Sequence, residues 1–191
     1  NYTISTYKDL SLIDALDLKR LPNYDEASNE ARFKNEGIID GNVYAVPKDW
    51  GTTGFVYNSK AMPQKPTSWK EFWDLAQNEA TGRAMVHDYQ LTTIGNALKY
   101  FGYSFNSNDE KELADAEKLL IAAKPHLFGI NSDYKPSLAS GDAWMSICWT
   151  GDAVQLQRDQ PEMVYVLGKE GGEIWPDFYA IPQGAPNPDA A

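Results

Sequence analysis

Two pairs of tryptophan and carboxylate residues near the end of the chain have the chemistry of a cation-binding site. Trp149 lies three residues before Asp152, and Trp175 lies two residues before Asp177. An ammonium group gains about 0.5–2 kcal/mol over a tryptophan face, and a charge-assisted hydrogen bond to a carboxylate adds to that gain. If the two pairs converge, they form a small box suited to an alkyl chain that carries a positive amine.

Each of these residues also has a purely structural interpretation. Asp152 begins a predicted helix, where a carboxylate gains about 0.3–1 kcal/mol from the helix dipole. Trp149 and Trp175 are at predicted strand ends, where core or rim packing is an ordinary role for tryptophan. Asp177 follows Pro176 and has the context of a turn residue. The residues alone leave both interpretations open.

Composition and charge restrict the partners. The 191 residues include 27 acidic and 17 basic side chains, for a formal net charge of −10. Such a surface is a poor partner for nucleic acid or for an anionic membrane surface. No apolar run approaches the roughly 18 residues of a membrane span, so no membrane insertion is predicted for this chain.

A metal site and a phosphate-binding loop are both unsupported. His87 and His126 are far apart, and no second His or Cys stands at ligand spacing from either one. The glycines at 168–172 do not form a phosphate-loop pattern. The sequence therefore predicts no metal and no cofactor.

The hydrophobic pattern alternates between strands and helices. Ser68 and Glu71 form a capping box that predicts the start of a helix. Strands are predicted at 43–46, 52–57, 83–86, 143–149, 164–167 and 174–181, and helices at 68–78, 91–101, 109–122, 136–139 and 152–158. This alternation favours an α/β layer with a largely parallel sheet flanked by helices, and ligands at the carboxyl ends of the strands.

Several motifs occur together in one order. They are Tyr-Ala-Val-Pro at 44–47, Trp-Gly-Thr-Thr-Gly at 50–54, Tyr-Asn at 57–58, the segment 149–152, Glu-Gly-Gly at 170–172 and Ala-Ile-Pro at 180–182. In this combination the chain resembles the spermidine/putrescine-binding proteins, the periplasmic receptors of bacterial polyamine ABC transporters. The resemblance implies a type II periplasmic binding protein-like fold of two lobes, with the ligand in the cleft between them.

The same resemblance implies a division of the chain. Residues 1–50 would be a remnant of the first lobe, 51–176 the second lobe, and 177–191 the return crossing into a truncated first lobe. The chain opens on Asn1 and closes on an Asn-Pro-Asp helix start at 187–189. We therefore expect it to be a fragment of a longer protein.

Five site residues follow from the resemblance. Trp149 and Trp175 match positions where the family places aromatic rings along the methylenes of a polyamine. Asp177 matches an acid that binds an amine, and Asp152 matches an acid of putrescine-type members. Tyr2 matches a tyrosine that lines the cleft.

One departure from the family concerns the helix predicted at 91–101. Relatives often begin this helix with acids that receive another amine, and the corresponding positions here are Tyr89 and Thr92. Asp88 is one residue out of that register. The length and identity of the ligand therefore stay open.

The resemblance implies an extracytoplasmic solute-binding protein that captures a polyamine and delivers it to the membrane permease of an ABC transporter. It would be periplasmic, or lipid-anchored in a bacterium without a periplasm. The rival hypothesis is a carbohydrate-active enzyme or sugar binder, because paired acids beside tryptophans also suit sugar stacking and acid/base catalysis. A serine hydrolase is weaker still, because no Gly-x-Ser-x-Gly motif occurs.

Overall fold

The structure is a computed structural model that describes residues 3–26 and 31–190. The chain forms two compact units. Unit 1 consists of Asn1–Trp50 and Trp175–Ala191, and unit 2 consists of Gly51–Ile174. Tyr2 lies outside the described residues.

Unit 1 begins with short elements. They are helix α1 (Thr3–Asp9), a 3-10 turn (Leu18–Arg20), helix α2 (Ala31–Glu36) and the strands β1 (Ile38–Ile39) and β2 (Asn42–Val43). The two strands form a hairpin whose turn residues, Asp40 and Gly41, both have positive φ, as a type I′ turn requires. Phe33 is buried, and its ring packs 5.8 Å from that of Trp50.

Two strands run from one unit to the other. Strand β3 (Val46–Asn58) leaves unit 1, and strand β8 (Glu173–Tyr179) returns to it. The predicted strand at 43–46 is wrong, because Val43 ends β2 and Val46 begins β3. Burial along β3 is continuous from Thr53 to Tyr57, as expected for a strand in the middle of a sheet covered on both faces.

The sheet of unit 2 is mixed. Its remaining strands are β4 (Ala84–Val86), β5 (Leu127–Ile130), β6 (Met145–Trp149) and β7 (Met163–Val166), in the order β5-β4-β6-β3-β7, and β8 also pairs with β3. Strand β4 is parallel to β5 and β6, whereas β3 is antiparallel to β6 and β7. Four strands thus share one direction, and β3 runs against them.

Helices cover both faces of this sheet. They are α3 (Trp69–Gln77), α4 (Gln90–Tyr100), α5 (Glu110–Ala123), α6 (Lys135–Ser140) and α7 (Thr150–Asp159). Side chains of β3 alternate between two cores, since Phe55 and Tyr57 pack with α3, α4 and α5, whereas Val56 packs with α6 and α7. The fold is therefore an α/β layer, as predicted.

Local signals located most of these elements. The Ser68 hydroxyl caps α3 by accepting from the Glu71 N–H at 3.0 Å, as predicted. The Glu71 carboxylate accepts from the Thr67 N–H instead of the cap itself. Strand β5 was not predicted, because it has only four residues and Gly129 interrupts their apolar run.

Close backbone approach at Gly54 gives the first testable prediction. A Cβ at Gly54 would lie 2.2 Å from the Val166 carbonyl oxygen on the neighbouring strand, and a backbone atom cannot move aside cheaply. We expect Gly54→Ala to lower the free energy of unfolding by about 1–3 kcal/mol, measured by urea denaturation.

The matched control is Gly151→Ala in α7. A Cβ at Gly151 meets no heavy atom within 4 Å, so this variant should retain or slightly raise the stability. Equal urea midpoints for the two variants would contradict the proposed clash.

Candidate functional site

The carboxyl ends of β4 and β6 bring one group of side chains together. The strands are neighbours and parallel, so the loops that follow them meet at the same edge of the sheet. His87 follows β4, Tyr89 caps α4, Trp149 ends β6, and Asp152 lies in the first turn of α7. Together with Tyr134, these residues are called the carboxyl-edge cluster below.

Aromatic rings hold Trp149 in place. The ring centroid of His87 is 4.6 Å from that of Trp149 and 5.2 Å from that of Tyr134, on which it stacks. Tyr89 contacts Trp149 edge-on at 6.5 Å, and the Tyr89 residue is 59% exposed. The half-buried indole is thus supported from beneath by buried rings and bordered by an exposed one, an arrangement that suits stacking against a cation or an alkyl chain.

The hydroxyl of Tyr134 connects Trp149 to Asp152. It donates to the Asp152 carboxylate at 2.8 Å and accepts from the Trp149 backbone N–H at 3.1 Å. Tyr134 is fully buried, and this burial raises the pKa of its hydroxyl far above the ordinary value. The hydroxyl therefore stays neutral and keeps both hydrogen bonds, which fixes the tryptophan and the acid relative to each other.

Asp152 already has a cationic partner within the chain. The Lys135 ammonium lies 2.8 Å from one carboxylate oxygen of Asp152, while Tyr134 binds the other oxygen. Lys135 also lies 3.3 Å from the side-chain oxygen of Gln155. The Asp152 side chain is only 19% exposed, so any second cation at this carboxylate would have to share it with Lys135 or displace Lys135. No local sequence signal indicates this pair, because its members are 17 positions apart.

The other predicted pair lies in unit 1. Trp175 and Asp177 are alternate residues of β8, so their side chains leave the same side of the strand. The Asp177 side chain is 55% exposed, and one carboxylate oxygen is 3.7 Å from the Lys48 ammonium. Lys48 is closer to Asp49, at 3.2 Å, and Asp49 is the main cause of the raised pKa of Lys48.

A further carboxylate, that of Glu173, was missed in the sequence. One oxygen of Glu173 accepts hydrogen bonds from the hydroxyls of Thr53 at 2.7 Å and Thr92 at 2.9 Å. Thr92 is one of the two positions where an acid was expected, and it is buried. In the sequence, Glu173 is visible only as the acid that directly follows the Glu-Gly-Gly motif. No local pattern indicates that its side chain contacts α4.

His87 is a buried imidazole that lies against the rings of Trp149 and Tyr134. Neither ring nitrogen has a hydrogen-bonding partner among the described residues. Burial lowers the pKa of His87 from 6.5 to about 4, and it outweighs the opposing influence of Asp88, the Ile147 backbone and Asp152. The ring is therefore neutral near pH 7 and serves as a flat apolar support for Trp149.

Across residues 3–26 and 31–190, no three His, Cys, Asp or Glu side chains are arranged to hold a metal ion. In the same residues, no helix combines the length and apolar character needed to cross a membrane.

A family model described as bacterial extracellular solute-binding protein matches residues 1–191. The chain belongs to this family. The prediction of a binding protein rather than an enzyme is thereby confirmed, since this is a family of solute-binding proteins.

Two relatives show how much of such a protein the chain represents. It is 29% identical over 192 residues to the spermidine/putrescine-binding periplasmic protein of Salmonella typhimurium, covering 100% of this chain and 54% of that protein. It is 31% identical over 188 residues to the putrescine/cadaverine-binding protein of Pseudomonas aeruginosa, covering 92% of this chain and 52% of that protein. The chain thus spans about half the length of these relatives.

Solved structures confirm the fold class. A spermidine/putrescine ABC transporter substrate-binding protein from Streptococcus pneumoniae matches with a TM-score of 0.79 at 27% identity, over 99% of this chain and 57% of that one. A lipoprotein of Treponema pallidum matches with a TM-score of 0.83 at 27% identity, over 98% of this chain and 59% of that one. The predicted periplasmic binding protein-like lobe is therefore correct.

The pKa of His87 predicts a pH dependence of stability. Between pH 6.5 and pH 4 the unfolded chain binds a proton at this residue, whereas the folded chain does not. The free energy of unfolding should therefore be complete above pH 6.5 and fall towards pH 4, by up to about 3 kcal/mol from this residue.

Urea unfolding at several pH values measures this effect. Carboxylates titrate in the same window in every variant, so the quantity compared is the slope of stability against pH. His87→Phe should have a shallower slope than the wild type. A wild-type slope in His87→Phe would show that His87 is not the titrating group.

Proposed function

We propose that the full-length protein is an extracytoplasmic receptor that captures a putrescine- or spermidine-like polyamine for uptake by an ABC transporter. The observation that carries this proposal is the Trp149 and Asp152 pair, held together by Tyr134, in a chain whose relatives are named for polyamines. Aromatic faces and carboxylates are the groups that bind an alkyl ammonium.

The proposed ligand contacts are Trp149, Asp152, Trp175, Asp177 and Tyr2. The tryptophans would cover the methylenes and exclude water, and the acids would receive the amines. The two compact units support a two-lobed layout, in which we assign 1–50 and 177–191 to the first lobe and 51–176 to the second. A ligand that contacts both lobes selects the closed state of such a protein.

Location and partner follow from the relatives. The Salmonella relative is named as periplasmic, and the Treponema neighbour is a lipoprotein. We propose the periplasm, or a lipid-anchored position outside the cytoplasm, and a membrane permease as the protein partner. Nucleic acid is not a partner, because the net charge is −10.

The rival hypothesis of a carbohydrate-active enzyme or sugar binder lacks comparable support. The matching family is one of solute-binding proteins, and both relatives described above are named for amines. We therefore propose binding without covalent chemistry.

Calorimetry on the full-length protein tests the proposal through Asp177. Putrescine, cadaverine, spermidine, spermine and agmatine form the panel, with glucose as the uncharged control. We expect at least one amine to bind and glucose not to bind. Asp177→Asn should lower the affinity for the amine about 10- to 150-fold, because a hydrogen bond to a charged group is worth about 1.5–3 kcal/mol.

Asp49→Asn is the matched control for this variant. It removes the other carboxylate that pairs with Lys48, so it changes the same lysine without removing a proposed contact. The dissociation constant of this variant for the amine should stay within about threefold of the wild-type value. Absence of binding by all five amines, or full affinity in Asp177→Asn, would contradict the proposed function.

The pairing of Lys135 with Asp152 predicts an unusual gain of affinity. Lys135→Met removes the internal ammonium that occupies the Asp152 carboxylate. We expect the bound amine to bind roughly three- to tenfold more tightly, since it no longer competes with Lys135. Lys60→Met, which removes an exposed lysine from Glu162, is the control and should leave the affinity unchanged. Weaker binding in Lys135→Met would exclude this competition.

A further inference from the structure

Glu173 is held at the edge of the sheet by two elements that are distant in sequence. Thr53 comes from β3 and Thr92 from the first turn of α4, and both hydroxyls donate to the same carboxylate oxygen. Both threonines are buried, so neither hydroxyl is free to turn towards bulk water. The position of the Glu173 carboxylate is therefore fixed, and its second oxygen has no hydrogen bond from the described residues.

This carboxylate lies beside the carboxyl-edge cluster, within unit 2. Thr53 is directly opposite Trp149 in the antiparallel pairing of β3 with β6, where facing Cα atoms are about 4.5–5.5 Å apart. Thr92 lies one turn after Tyr89, whose ring contacts Trp149. Glu173 thus provides a carboxylate next to the aromatic surface that the proposed function uses.

Glu173 differs from the neighbouring acids in the partners of its carboxylate. Asp152 is neutralised by Lys135, and Asp88 is bound by the Ser132 hydroxyl. Within residues 3–26 and 31–190, Glu173 forms no ion pair with a Lys, Arg or His side chain. A half-buried carboxylate without a cation costs free energy, and two hydroxyl donors offset only part of it. The oxygen that the threonines leave free is therefore available to a cation from outside the chain.

The fold does not need this carboxylate as an anchor for the return strand. The glycine-rich turn before β8 is already attached to α3, because the Trp69 ring N–H donates to the Gly171 carbonyl at 2.9 Å. The Trp69 backbone N–H donates to the Glu170 carboxylate at 3.0 Å. These contacts fix the start of β8 independently of the side chain at 173.

We propose that Glu173 receives a primary ammonium group of the ligand at the start of α4. It takes the role expected of acids at positions 89 and 92, where this chain has Tyr89 and Thr92. The acceptor is the carboxylate oxygen that the threonines leave free, and the adjacent methylenes lie against Trp149. This proposal rests on the proposed polyamine-binding function.

Calorimetry with putrescine on the full-length protein tests the role of Glu173. Glu173→Gln retains the shape and an oxygen that accepts from both threonines, but it removes the charge. We expect its dissociation constant to rise at least about tenfold, with little change in the melting temperature of the ligand-free protein. Thr92→Val should raise the dissociation constant less, because it removes one of the two hydrogen bonds that position the carboxylate but keeps the carboxylate itself.

Glu117→Gln is the control for the loss of one negative charge. Glu117 is exposed on α5, and its variant should bind putrescine within about twofold of the wild type. A solely structural role for Glu173 predicts the opposite pattern in Glu173→Gln, a lower melting temperature with wild-type affinity. That pattern would overturn the inference.

The same measurements distinguish failure of the proposed function from failure of the inference about Glu173 alone. If wild-type protein binds none of the five amines, the proposed function fails, and the inference fails with it. If wild-type protein binds putrescine and Glu173→Gln binds equally well, only the inference fails. Should Glu173→Gln melt well below the wild type, its affinity is measured well below its own melting temperature, where the variant is folded. Wild-type affinity under those conditions would overturn the inference.

Discussion

Strand β6 pairs with β4 on one side and with β3 on the other, and this double pairing positions the candidate site of unit 2. Parallel pairing with β4 makes the loops after both strands leave the sheet at the same edge. Antiparallel pairing with β3 places Thr53 opposite Trp149. Residues separated by up to about a hundred positions therefore meet through backbone hydrogen bonds, without any local sequence preference for contact.

Carboxylates in this chain differ mainly in what already neutralises them. Asp152 has Lys135 at 2.8 Å, and Asp177 has Lys48 at 3.7 Å, whereas among the described residues Glu173 has only hydroxyl donors. A cation gains most at the acid with the weakest internal partner, because it displaces nothing there. The proposed position of an amine therefore rests on the distribution of internal cations and not on the net charge of −10.

The aromatic part of the cluster has a different physical basis. His87 and Tyr134 are polar side chains that the fold keeps neutral by burying them. The neutral imidazole contributes a flat surface, and the neutral hydroxyl contributes two directed hydrogen bonds. Trp149 gains a fixed orientation from both, which lowers the entropy lost when a ligand stacks on it.

The class of fold, most elements of unit 2 and the family could be predicted from the sequence, since these depend on periodicity, capping residues and ordered motifs. Ser68 and the strand 143–149 carry such local signals, whereas the short strand β5 carries none. The sequence also indicated that Trp149 and Asp152 are neighbours. They are only three positions apart, at the end of a strand and in the first turn of the helix that follows it. The pairing of Lys135 with Asp152 and the hydrogen bond between Thr92 and Glu173 could be seen only in the folded chain. Those contacts join residues 17 and 81 positions apart, and their geometry exists only once the sheet has brought the elements together.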